Sequence, residues 1–152
     1  MKLAEALLLR SDLQKKLASL RERVVANAVI QEGEKPNEKP DELLKEAIGV
    51  LGQLEKLVTQ IHRANLKTKL ADGRTLTDAI AHRDTLIAQH ALYGAAIAGS
   101  KKEPERYSVR EIKWKSTLPV AKLQKQVDDL AKKLRELNAE IQKANWSADL
   151  GG

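Results

Sequence analysis

Hydrophobic residues recur along this chain at alternating steps of three and four, most regularly near its C-terminal end. Val120, Leu123, Val127, Leu130, Leu134, Leu137, Ile141 and Ala144 form an unbroken a/d seam. β-Branched residues hold most a positions and Leu most d positions, the pattern of a coiled-coil helix. Lys, Gln, Asp, Glu and Arg fill the positions between and keep the opposite face wet. Such a seam is unstable in water. Each large aliphatic side chain gains about 1.5–3 kcal/mol on burial, so the seam requires partner helices, in the same chain or in another subunit.

Three more helices are predicted. The first runs over 2–29, with Leu3, Ala6, Arg10, Leu13, Leu17, Leu20 and Val24 at a/d spacing. Gly33, Pro36 and Pro40 then break the pattern in a polar loop. The second covers 41–64, with Leu44, Ile48, Leu51, Leu54, Val58 and Ile61 as its main stripe and Ala47, Val50 and Leu57 widening it. The third covers 77–98, with a stripe of Leu76, Ile80, Ile87, Gly94 and Ile97. The last helix is placed at 118–145, behind a Ser116 or Thr117 cap and with Pro119 in its first turn. Between the second and third helices, Leu66–Leu76 reads as a short β-hairpin about Asp72-Gly73 or as a plain interhelical loop. Tyr107–Lys115 reads as a short strand. The expected fold is all-α: an antiparallel four-helix bundle of coiled-coil type with a small β-ribbon. It forms a single domain over 1–150, and the tail, 151–152 and the Asp149-Leu150 before it, is expected to fray.

Two features of the third helix suggest contact with another chain. No charged residue occurs from Thr85 to Ser100, and Ala91, Ala95 and Gly99 make a ridge of small residues at steps of four. With Tyr93 and Ile97 beside them, these residues are the candidate self-association surface. Arg10 and Arg83 interrupt apolar stripes at core positions. They are candidates for buried polar contacts with Glu5, Asp12, Asp78 or Asp84, or else cations that snorkel to the seam's edge.

The charge is unevenly spread. Lys and Arg number 27 and Asp and Glu 21, a net +6. From Lys101 to Lys125 there are eight basic and three acidic residues, so +5 of that excess lies in this one segment. Trp114 stands among Lys101, Lys102, Arg106, Arg110, Lys113 and Lys115 as a stacking residue might in a nucleic-acid groove. A charge run is more often a solvated face, and no nucleic-acid-binding motif accompanies it. Reaction chemistry is missing from the pattern. There is no Cys, no nucleophile elbow and no Gly-rich phosphate loop, and none of His62, His82 and His90 completes a Glu-x-x-His pair. No cofactor or metal is expected. The longest uncharged run falls short of the ~20 residues that span a bilayer, so a cytoplasmic protein is expected.

Several segments also carry a family likeness. They include Lys2–Arg10, Gln31–Pro36, Thr75–Ala79, Arg83-Asp84, Leu123–Leu130 and Ala144–Trp146. In that order the sequence resembles a bacterial family of small helical proteins labelled septicolysin. The resemblance implies a helical fold and, through its label, a membrane-active cytolysin, but assigns no residue a role. The leading expectation from the residues themselves is a non-enzymatic assembly protein that forms homo-oligomers with itself. Nucleic-acid binding through 101–125 is the alternative.

Overall fold

The computed structural model describes residues 1–101 and 113–151. They form four α-helices, α1 (Leu3–Ala26), α2 (Pro40–Lys67), α3 (Leu76–Gly99) and α4 (Val120–Ser147). The protein is all-α. There is no β-strand among the described residues, so the expected β-ribbon is not formed. Helix α2 continues through Leu66 and Lys67, which leaves too few residues before α3 for two strands. What remains is one isolated bridge between Lys69 and Thr75, closed by Leu70 N–H donating to the Arg74 carbonyl at 2.9 Å. Gly73 turns the chain at a φ of +87°, a conformation that glycine adopts without strain. The second strand expected, 107–115, falls mostly outside the described residues, and Lys113–Lys115 has no regular structure.

Local chemistry sets the helix ends. The Glu5 carboxylate accepts the Lys2 N–H at 2.6 Å, satisfying one donor at the start of α1. Helix α1 ends at Ala26, short of Val29, because Asn27 takes over its last turn. The Asn27 side-chain amide donates to the Arg23 carbonyl at 2.8 Å, and its Oδ1 accepts the Glu38 N–H at 3.0 Å. The buried Asn27 thereby fastens both sides of the loop to α2. Pro40 opens α2, where its missing N–H costs nothing, and Asp41 and Glu42 follow at the positive end of the helix.

Helices α1 and α2 pack as an antiparallel pair. Leu20, Leu43 and Val50 are buried at its centre, and Leu13, Leu17, Val24, Ala47 and Leu54 pack around them. Lys16 pairs with Glu46 at 2.8 Å. Arg23 grips Glu38 with two guanidinium nitrogens, its Nε donating to Oε2 at 2.9 Å. The chain ends are also clasped: Leu3 N–H donates to the Ala148 carbonyl at 2.9 Å, and Leu150 N–H to the Met1 carbonyl at 3.0 Å. Lys2 pairs with Asp149 at 2.8 Å. Asp149 and Leu150, expected to fray, are thus tied down by backbone pairing.

The chain divides into two compact units, Met1–Leu76 with Gln142–Gly152, and Thr77–Ile141. In the first, Leu3, Ala6, Leu57, Ile61, Ala64, Leu70 and Leu76 are buried along with the hairpin core. In the second, the buried residues are Ala79, Leu86, Ile97, Leu130, Leu137 and Ile141. Among the described residues, no helix is long and apolar enough to cross a membrane.

Candidate interaction surfaces

Helix α2 has two apolar faces and buries one. The buried line is Leu43, Val50, Leu57, Ile61 and Ala64, with Ala47 and Leu54 partly covered. Leu44, Ile48 and Leu51, expected to be core, instead stand in water with 52%, 65% and 45% of their surface exposed. At about 100° per residue, this second line lies a quarter to a third of a turn round from the first. It ends where Glu55 and His62 take the positions that would continue it.

Helix α3 presents the small-residue ridge outward. Ala91, Ala95 and Gly99 are all exposed, and no group described lies within 4 Å of a Cβ built on Gly99. Tyr93 and Ile97 do not flank this ridge. Ile97 is buried and Tyr93 half-buried, because a step of two residues carries a side chain about 200° round the helix, to the opposite face. The large apolar groups that do accompany the ridge are Ile87 and Leu92, 50% and 67% exposed.

The two core arginines lie at the edge of their stripes. The Arg10 side chain is half-buried, with no hydrogen bond or ion pair to another described residue. Arg83 is half-buried and bonds Asp84, the next residue, through Nε at 3.1 Å and Nη2 at 2.9 Å. A neighbour on the same helix satisfies its charge locally, so this pair does not tie two helices together. Of the basic segment, Lys102, Arg106 and Arg110 lie outside the described residues. Lys101, Lys113, Trp114 and Lys115 are exposed.

Concavities among the described residues of the first unit include a groove and a cleft. An open groove of about 810 Å³ runs along the C-terminal half of α1, lined by Gln14, Leu17, Ala18, Arg21, Glu22, Val25 and Ala26. A cleft of about 130 Å³ lies between the end of α2 and the C-terminal tail, with Arg63, Lys67 and Asp149 on its rim. Neither gathers a set of reactive groups, and among the described residues no three His, Asp or Glu are placed to hold a metal ion. Acid–base behaviour is that of surface ion pairs. The hydrogen bond from Arg23 holds the Glu38 carboxyl below its usual range, and Lys16 and Lys2 do the same for Glu46 and Asp149.

Residues 10–150 match the model of a family described as a family of unknown function (DUF6847). The chain is also similar to a functionally unknown conserved protein from Corynebacterium diphtheriae, known from a crystal structure. That likeness has a TM-score of 0.89 and 35% identity, over 97% of this chain and 96% of that one. Comparison with curated proteins gives no match. These findings overturn the septicolysin resemblance, since neither description carries that label.

Proposed function

The chain belongs to this family of unknown function, DUF6847, and we propose that it is a non-enzymatic helical protein whose work is association, first of all with copies of itself. The observation that carries this reading is the outer face of α3. A helix covered on one side only is normally charged on the other. From Thr85 to Ser100 this helix has no charge, yet Ile87, Leu92 and the Ala91–Ala95–Gly99 ridge are exposed. Contact with a second chain accounts for both the missing charge and the small residues, which let backbones approach closely.

Leu13, Leu17, Leu20 and Val24 meet Leu43, Ala47, Val50 and Leu54 at a/d spacing, so α1 and α2 cover this seam for each other and the association falls to the exposed faces. A cytoplasmic location fits a chain without Cys.

Light scattering on the purified chain tests the reading. The unmodified protein is expected at a multiple of 16.9 kDa. Ala91→Glu or Ala95→Glu places a charge where the second chain would pack, and is expected to shift the assembly to smaller species. The same oligomer for both variants would remove α3 from the interface.

A further inference from the structure

We propose that the cleft between the end of α2 and the C-terminal tail binds one phosphate group, either inorganic phosphate or the end of a small phosphate monoester. The site is separate from the self-association surfaces and does not depend on them. The sequence concentrates positive charge there. From Lys56 to Ala71 the chain carries Lys56, Arg63, Lys67 and Lys69 and no Asp or Glu. Gln60, Arg63 and Lys67 follow one another at steps of three and four, so they share one side of α2. All three line the cleft, together with Thr68 and the buried Ala64.

These cations lack partners among the described residues. Lys2, Lys16, Arg23 and Arg83 each meet a carboxylate. The Arg63 and Lys67 side chains have neither a hydrogen bond nor an ion pair to another described residue. The same holds for the half-buried side chains of Gln60 and Thr68. Asp149 also lines the cleft, but Lys2 Nζ holds it at 2.8 Å and offsets its charge. A cation in the last turn of a helix complements the helix dipole. That role accounts for Lys67. It leaves Arg63, one turn further in, and the two neutral side chains without a reason to gather here.

Size and donor geometry select the ligand. At about 130 Å³ the cleft is well below the ~300–1,000 Å³ of pockets for drug-sized molecules, and has room for one compact anion. The Arg63 guanidinium offers a fork of N–H donors for two oxygens, and the Lys67 ammonium a point charge. The Thr68 hydroxyl and the Gln60 amide add two neutral donors. A phosphate dianion has enough oxygens to accept from all four, whereas a carboxylate has only two.

Isothermal titration calorimetry of the protein with inorganic phosphate, at constant ionic strength, tests the site. Saturable binding at one site is expected. Arg63→Gln and Lys67→Gln should each weaken it by about tenfold or more, as the loss of a charge-assisted hydrogen bond does, with helical circular dichroism unchanged. Lys56→Gln should leave the affinity within about twofold. Lys56 lies two turns before Arg63, about 10 Å along the axis, beyond the Debye length of about 8 Å at physiological salt. Tighter binding of glycerol phosphate than of inorganic phosphate would assign the site to a monoester, and the reverse order to the free anion. Absence of saturable binding would overturn the proposal. So would an equal loss on Lys56→Gln, the mark of diffuse charge, or tighter binding of a single-stranded DNA oligomer that all three variants weaken alike.

Discussion

Leu20 and Leu44 are both leucines on long helices, yet they stand in opposite surroundings. Leu20 is fully buried between α1 and α2, whereas Leu44 is half in water. Leu20→Ala is expected to cost about 2–5 kcal/mol, the transfer term plus the cavity left behind. Leu130→Ala, on α4, belongs to the same range. Leu44→Ala in dilute, dissociated protein should stay within about 0.5 kcal/mol of the parent. Urea midpoints of the three variants check this, and a Leu44 effect as large as that of Leu20 would show that the outer face of α2 is already packed. Asn27 holds its place by hydrogen bonding rather than by size. Asn27→Ala leaves the Glu38 N–H without its acceptor, while the Arg23 carbonyl keeps the backbone N–H of residue 27; the cost is about 1–3 kcal/mol, and the same urea titration reads that loss.

At the scale of elements, the seam of α4 was fully legible. From Val120 to Ala144 every seam residue is buried or half-buried and none is exposed, because its polar positions admit only one line. Helix α2 carries two overlapping lines. The one that packs, through Leu43, Ala47, Val50, Leu54, Leu57 and Ile61, contains no polar residue, whereas the one through Leu44, Ile48 and Leu51 runs into Glu55. That difference was a usable signal for the buried face. In α3 the two lines share Arg83 and His90, and differ in setting Leu86 and Tyr93 against Ile87 and Gly94. Sequence alone leaves them nearly equal, and packing selects the line with the larger Tyr93. The clasp between the chain ends was not legible, since it depends on backbone pairing between residues far apart in sequence.

The ion pairs of the first unit predict a pH dependence. Hydrogen bonds from Arg23, Lys16 and Lys2 hold the carboxyls of Glu38, Glu46 and Asp149 below their ordinary values of 4.5, 4.5 and 3.8. A carboxyl depressed in the folded state stabilises above its unfolded value, and that contribution is lost as pH falls through the folded value. The thermal midpoint should therefore be level from about pH 7 to 5.5 and fall below about pH 4. Glu38→Gln is expected to reduce that acid sensitivity, and the effect should be small because these pairs are exposed to solvent. An identical acid profile for Glu38→Gln would show that the Arg23 pair is idle in solution.

For the whole molecule, apolar side chains stand in water on two helices, within an uncharged run with small residues on α3 and bordered by Asp41, Lys45 and Glu55 on α2. Helix α3 shows them at the Ala91–Ala95–Gly99 ridge and α2 at Leu44–Ile48–Leu51. Neither surface gathers catalytic groups, and both suit a second helix better than a small ligand. The similar protein from Corynebacterium diphtheriae is also functionally unknown, so the reading stands on the physical surfaces themselves. Sedimentation equilibrium of the unmodified chain at micromolar concentration and physiological salt tests it most directly. Self-association requires a mass that is a multiple of 16.9 kDa and falls on dilution, and a constant 16.9 kDa across the concentration range would contradict it.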